Sequence, residues 1–156
     1  MHELNGSYTV YAGYRKIPKI LELETVHPIK LDITDYKSCI QAVDKIIRKE
    51  GKIDILINNA GYTISGPSTQ FTPDEFVELI NTNCVGAYRL MHLVVPRMQK
   101  KRSGKIINVT SLNGVVSLPN FGVYSASKHA LQALGTALRF ELRPNNIYVT
   151  NIVPGA

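Results

Sequence analysis

Apolar positions along this 156-residue chain fall into two alternating patterns. Short, nearly continuous or β-branched apolar runs occur at residues 8–13, 26–31, 53–57, 104–111 and 147–153. Runs of that length with little polar interruption are what parallel strands covered on both faces require. Between them lie longer segments with apolar residues three and four apart. Residues 36–50 place Ile40, Val43, Ile46 and Ile47 on one helix face and stop at Gly51. Thr72, Pro73, Asp74 and Glu75 form a helix start, with Thr as N-cap, Pro in the first turn and Glu completing a capping box. That helix is expected to continue to about Lys101, bent or tightened at Pro96. A further helix is expected from Tyr124 to Leu142, stopped before Pro144. Leu4, Asn5 and Gly6 read as a closing helix turn, and residues 17–24, which include Pro18, as a short amphipathic stretch. Strands alternating with helices specify an α/β chain with a Rossmann-like, doubly wound parallel sheet. No repeat, low-complexity segment or linker divides it, so residues 1–156 are expected to form a single domain.

Composition narrows the class. Hydrophobic content of 44% and charged content of 19% fit a globular protein rather than a disordered one. No apolar run approaches the length of a membrane helix and the N-terminus lacks a signal-peptide pattern, so the expectation is a cytoplasmic chain with no membrane partner. The formal charge of +6 raises a nucleic-acid partner, and Arg97, Lys100, Lys101, Arg102 and Lys105 do cluster. They sit at a helix C-terminus, where cations complement the dipole, and no aromatic platform accompanies them, so no nucleic acid is expected. Cys39 and Cys84 have no metal-ligand spacing and fall in helices beside apolar residues. Free buried thiols are expected, with no metal site.

Candidate chemistry concentrates between Ser111 and Lys128. Tyr124 and Lys128 are four residues apart at the start of a helix, and positions i and i+4 lie one above the other on the same face. A phenol, with a reference pKa of about 10, exchanges protons poorly near neutrality, but a cation held close favours its phenolate. Ser111 ends the strand of Ile106, Ile107, Asn108 and Val109, thirteen positions before Tyr124. Asn58, Asn59, Ala60 and Gly61 end another strand, where small residues let backbone approach a ligand and an asparagine amide can tie neighbouring strands. Asn83 stands inside a helix, a poor place for asparagine unless something uses its amide. Asp32 follows a strand within Asp32, Ile33, Thr34, Asp35, and its turn and capping chemistry suffices to explain it there. Arg15 ends the first strand, and Pro154 and Gly155 follow the last.

Taken together and in this order, these motifs resemble the short-chain dehydrogenase/reductase family over essentially the whole chain. The resemblance implies an NAD(P)-dependent oxidoreductase interconverting a hydroxyl and a carbonyl. Tyr124 would then be the general acid/base, with Lys128 supporting it and holding the nicotinamide ribose. Ser111 would bind the substrate oxygen, and Asn83 would disturb its helix and hold a water linking the lysine to solvent. Cofactor contacts would come from Arg15, Asp32, Ile33, Asn58, Ala60, Gly61, Pro154 and Gly155, besides Tyr124 and Lys128. Tyr14 stands where NAD-dependent members usually carry Asp, and Arg15 follows it, so NADP is favoured with NAD possible. The family's habit of pairing through two helices implies a homodimer or homotetramer, with Leu131, Leu134 and Leu138 as candidate contacts, the alternative being that all three belong to the core.

The chain departs from the family pattern in two places. Nothing upstream of residue 8 supplies a first strand and a Gly-x-x-x-Gly-x-Gly turn, and the region that normally covers the substrate is missing. The absent strand belongs in the middle of the family's sheet, so a gap is expected between the strands at 7–13 and 53–58, with unpaired backbone on both sides. Three outcomes are open: a longer parent molecule, which is favoured, closure of the two sheet halves, or a strand from a partner. The 156 residues alone are expected neither to bind cofactor tightly nor to reduce a carbonyl. The alternative function is a catalytically inactive fragment or pseudoenzyme acting as an interaction protein.

Overall fold

The computed structural model describes residues 8–16 and 26–155. The elements expected at residues 1–6 and 17–24 lie outside the described residues. Strand β1 (Val10–Tyr14) pairs in parallel with β2 (Val26–Lys30), with Val10 opposite Val26 and Tyr14 opposite Lys30. Strands β3 (Ile55–Asn58), β4 (Gly104–Val109) and β5 (Ile147–Ile152) form a second parallel sheet in the order β3-β4-β5. Helices α1 (Tyr36–Glu50), α2 (Pro73–Ile80), α3 (Gly86–Lys101) and α4 (Gly122–Leu142) alternate with them. This is the expected Rossmann-like α/β architecture with parallel pairing throughout. β1 and β3 do not pair, so the two sheet halves stay separate rather than closing on each other.

Local chemistry sets the helix ends. The Asp35 side chain caps α1 by accepting from the Lys37 N–H at 3.0 Å, and Gly51 closes it at φ 74°, a conformation glycine adopts without a Cβ penalty. At α2 the capping box is complete: Glu75 N–H donates to Thr72 Oγ1 at 3.2 Å, and Thr72 N–H donates to Glu75 Oε2 at 2.7 Å.

The expected continuous helix to Lys101 is interrupted. Residues Asn81–Val85 form a π turn between α2 and α3, with the Gly86 N–H donating to the Asn81 carbonyl five residues back. Such a turn inserts one extra residue and rotates everything after it on the helix surface. α3 then runs through Pro96, which forfeits one ladder bond. α4 opens at Gly122, two residues before the expected start.

The main core lies between the sheets and α1, α3 and α4, built from residues such as Val43, Met91, Val94, Ile106, Leu131 and Val149. Leu131 is buried in it, and Leu134 and Leu138 pack against it. These three leucines therefore serve the intramolecular core, and the exposed large side chains on the same helices are Val77, Tyr88 and Phe140. Cys39 is fully buried and Cys84 half-buried, both free, and burial pushes both thiols up. Of the basic cluster, Lys100 and Lys101 fall in the last turn of α3 and Lys105 in β4. Arg102 caps α3 in the left-handed region and donates to the Pro144 carbonyl at 3.0 Å, while Arg97 pairs with Asp44 at 2.9 Å. Among the described residues no helix is long and apolar enough to cross a membrane, and no group of three or more His, Cys, Asp or Glu could hold a metal.

Candidate active site

The strand register places Asn58, Asn108 and Asn151 side by side across β3, β4 and β5. Their amides form a ladder. Asn58 Nδ2 donates to Asn108 Oδ1 at 2.9 Å, Asn108 Nδ2 to Asn151 Oδ1 at 3.0 Å, and Asn151 Nδ2 to the Gln132 carbonyl of α4 at 2.9 Å. An amide can donate and accept at once, which lets each one pass the chain on. Asn58 was expected to tie strands. Asn108 and Asn151 were not singled out, although each interrupts an apolar strand run at a matching position, which is the signal that could have found them.

α4 supplies Tyr124 and Lys128 in its first turns, both buried, at 9% and 6% exposure. Lys128 Nζ donates to the Val109 carbonyl at the end of β4, at 3.0 Å, and lies 5.9 Å from the centre of the Tyr124 ring. The helical i, i+4 spacing and this strand-end anchor together bring ammonium and phenol into one locality. Burial pushes the Lys128 ammonium pKa down, and the interaction with Tyr124 opposes that shift.

Ser111 caps the short turn Leu112–Gly114, its Oγ accepting from the Asn113 N–H at 3.2 Å. The turn is fastened to α4 twice. Ser125 Oγ donates to Asn113 Oδ1 at 3.3 Å, and Gly114 lies so close that an added Cβ would sit 3.0 Å from the Lys128 carbonyl. Ser111 is thereby held beside the first turns of the helix that carries Tyr124.

Asn83 sits in the π turn at 1% exposure. Its Oδ1 accepts from the Tyr62 N–H at 3.0 Å, and its Nδ2 donates to the Tyr62 carbonyl at 2.9 Å and to Ser127 Oγ at 3.0 Å. Ser127 Oγ in turn donates to the Tyr124 carbonyl at 2.7 Å. The amide is spent on protein, locking the segment after β3 to α4. Gly61 lies directly above it: a Cβ there would stand 2.9 Å from Asn83 Oδ1 and 3.6 Å from Lys128 Nζ. Only glycine permits this approach. Ala60 beside it is exposed.

The remaining candidates form a second group. Asp32 Oδ1 accepts from Thr34 Oγ1 at 2.7 Å and from the Thr34 N–H at 2.9 Å, the turn chemistry its sequence suggested. Those bonds hold its carboxyl below the usual range, with smaller help from Arg15 and Arg89. The Ile33 side chain packs against Gly86, and its carbonyl accepts from Arg89 Nη1 at 3.1 Å. Arg89 Nη2 donates to Asn81 Oδ1 at 2.8 Å, so Arg89 ties the loop after β2 to the π turn. Nothing in the sequence pattern pointed to Arg89. Arg15 is exposed and lines a pocket of about 420 Å³ with Tyr62, Phe71 and Glu75. Pro154 and Gly155 are also exposed, and the Pro154 carbonyl accepts from the Leu112 N–H at 2.9 Å, beside the Ser111 turn.

The site thus joins a buried ammonium, a phenol and a serine at one end of a parallel sheet, with an open approach at Ala60 and Gly61. The family model for short chain dehydrogenase matches residues 12–156. The chain belongs to that family. It is 39% identical over 148 residues to 3-ketodihydrosphingosine reductase of Bacteroides thetaiotaomicron, an alignment that covers 95% of this chain and 54% of the relative. Among solved structures, a short-chain dehydrogenase from Streptomyces avermitilis superposes with a TM-score of 0.94 at 30% identity, over 99% of this chain and 59% of that one. ElxO with NADP bound superposes with a TM-score of 0.92 at 29% identity, over 99% of this chain and 66% of that one. The short-chain dehydrogenase described here therefore spans little more than half the length of the curated relative it matches.

Proposed function

We propose that this short-chain dehydrogenase carries the proton-transfer half of a nicotinamide-dependent oxidoreductase that interconverts a hydroxyl and a carbonyl. The observation that carries the reading is Lys128, an ammonium buried to 6% exposure, anchored on the Val109 carbonyl and set beside the Tyr124 ring. A buried lysine costs stability, and one held against a phenol stabilises negative charge on the phenol oxygen. In this reading Tyr124 gives a proton to the substrate oxygen on reduction and takes it back on oxidation, Ser111 hydrogen-bonds that oxygen, and Lys128 also holds the nicotinamide ribose. Because the Asn83 amide is occupied, its part in a proton relay would run through the main chain of the π turn, which positions a water rather than gripping it by the side chain. The nicotinamide supplies the hydride acceptor or donor, and the protein supplies position and charge.

The residues fit such a cofactor. Gly61 leaves the space above Lys128 free of side chain, and in this reading Asp32, Ile33 and Arg15 would take the adenosine end of the cofactor. Arg15, exposed at the end of β1, favours the extra phosphate of NADP over NAD. The exposed Val77, Tyr88 and Phe140 on α2, α3 and α4 suit pairing with a second copy, in place of the three core leucines.

The test joins residues 8–156 behind the N-terminal strand, glycine-rich turn and helix of the Bacteroides relative and follows NADPH oxidation with a panel of ketones. The joined protein is expected to turn over at least one ketone, and Tyr124→Phe is expected to lower kcat by about 10²- to 10⁴-fold. Retention of most activity by that variant removes Tyr124 from its role, and absence of both turnover and NADPH binding overturns the reading.

A further inference from the structure

Arg89 is half-buried in the first turn of α3, and its guanidinium bonds to two segments far apart in sequence. Nη2 donates to Asn81 Oδ1 at 2.8 Å, and Nη1 donates to the Ile33 carbonyl at 3.1 Å. The planar fork of an arginine fixes the angle between two such partners, which the single ammonium of a lysine cannot do.

The first bond depends on the π turn. In an unbroken α-helix, residues eight positions apart lie about 80° apart around the axis. One inserted residue makes the same eight positions act like seven, about 20° apart, on one face and two turns along. Side chains lean towards the helix N-terminus, so Arg89 reaches back over Asn81–Val85 to the residue that opens the turn. Asn81 is also the residue whose carbonyl accepts from the Gly86 N–H. Arg89 therefore pairs with Asn81 only while the turn keeps the register that aims Asn83 at Tyr62 and Ser127.

The second bond carries that register to the loop at residues 32–34. Ile33 is pressed against the exit of the turn, where a Cβ on Gly86 would stand 2.7 Å from Ile33 Cδ1. The loop's own bonds are local: the Thr34 N–H donates to Asp32 Oδ1 at 2.9 Å, and the Asp35 N–H to the Asp32 carbonyl at 3.2 Å.

We propose that Arg89 is a positioning residue that couples the loop at residues 32–34 to the π turn, so that seating one fixes the other. Its effect on a cofactor rests on the function proposed above, in which Asp32 and Ile33 meet the adenosine; the coupling itself does not. Coupling of this kind is reciprocal: a cofactor seated on the loop holds the register of Asn83 as strongly as that register holds the cofactor.

Hydrogen exchange in the whole 156-residue chain reads the coupling directly. Arg89→Met keeps helix propensity and side-chain length but removes both bonds. It should speed exchange at the Thr34 and Gly86 amides about fivefold to tenfold while the β4 amides keep their rates. Asn81 makes no hydrogen bond to the loop among the described residues, yet Asn81→Ala should speed the Thr34 amide about twofold to fivefold. Added to Arg89→Met it should change nothing further there. Arg89→Lys should restore protection at one of the two segments only. A Thr34 amide indifferent to Asn81→Ala, or a uniform acceleration that includes β4, overturns the proposal. In the joined protein, Arg89→Met and Asn81→Ala should both raise KM for NADPH about threefold to tenfold. Loss of kcat alone, in step with a lower Tm, overturns the link to the cofactor. A joined parent that binds no NADPH counts against the proposed function, and the exchange result then decides the coupling by itself.

Discussion

Gly135 is where α4 meets the asparagine ladder, and Gly135→Ala is the sharpest test of that packing. A Cβ built there overlaps Asn151 Oδ1 and lies 2.7 Å from Asn108 Nδ2. Two effects oppose each other. Alanine in a helix interior is better than glycine by about 1 kcal/mol. Against that, overpacking a buried site costs about 1–3 kcal/mol. The neighbours that must move are ladder amides, Asn108 at 0% exposure and Asn151 half-buried. Displacing either breaks the 3.0 Å bond between them and strands a buried donor or acceptor, about 1–3 kcal/mol more. The net expectation is a loss of about 3 kcal/mol, or a Tm lower by about 6–12 °C for a chain of this size. Thermal melts by circular dichroism would measure it, with Gly155→Ala as control, since a Cβ there meets nothing within 4 Å. The double variant Gly135→Ala, Asn151→Ala should recover part of the loss, because the clash partner is gone. A Gly135→Ala chain as stable as the parent would mean that helix propensity wins and that α4 does not press on the ladder.

Three further outcomes follow from the site. Burial lowers the Lys128 pKa, so below 10.5 the unfolded chain binds more protons there than the folded one, and stability should rise as pH climbs from the lowered value to 10.5; Lys128→Met should abolish that rise in melts across alkaline pH while ending carbonyl reduction, and parallel pH profiles for parent and variant would refute it. Thr34→Val removes the bond that depresses the Asp32 pKa below 3.8; because the lowered carboxyl stabilises above the unfolded value and loses that contribution as pH falls through the folded one, the variant should be weaker by about 0.5 kcal/mol at pH 7 and equal to the parent in strong acid, as read by urea titrations. Arg15→Ala, in the joined protein, should lower kcat/KM for NADPH by about tenfold or more with little change for NADH, and an unchanged cofactor ratio would remove Arg15 from phosphate recognition.

Much of this was legible in order and spacing. The short, nearly continuous apolar runs and the period-3.6 runs located all five described strands and the helices, because their apolar faces are buried against each other. The Thr72 capping box and the Gly51 stop were read correctly, since both are local backbone chemistry. The π turn escaped the periodicity, because one inserted residue shifts the helix face without breaking its apolar content; the misplaced Asn83 was its only trace. Leu131, Leu134 and Leu138 read equally as partner contacts or as core, because a wide apolar helix face does not say which side another element will cover, and the core takes all three. Arg89 was invisible for a different reason. Its guanidinium spans from Ile33 to Asn81, residues 48 positions apart in sequence, and a long-range tie of that kind leaves no local pattern.

The two groups of candidate residues rest on different supports, which in the proposed reading separates proton chemistry from cofactor recognition. Tyr124, Lys128, Ser111 and Asn83 are held by β4, α4 and the π turn through bonds of 2.7–3.3 Å, and none of those bonds involves β1 or β2. Arg15 and Asp32 ride on β1, β2 and the loop that follows, joined to the rest through Arg89, the packing of α1 on α3 and the contact of Ile33 with Gly86. Among the described residues the two sheets share no backbone hydrogen bond. In the proposed reading, a cofactor that touches Arg15 at one end and Lys128 at the other depends on the spacing between the two sheets, and a misplacement of about 1 Å at a reacting centre can cost about 10²-fold in rate. Arg15→Ala should accordingly weaken NADPH binding in the joined protein while leaving the Tyr124–Lys128 geometry, and with it the alkaline stability profile of Lys128, unchanged.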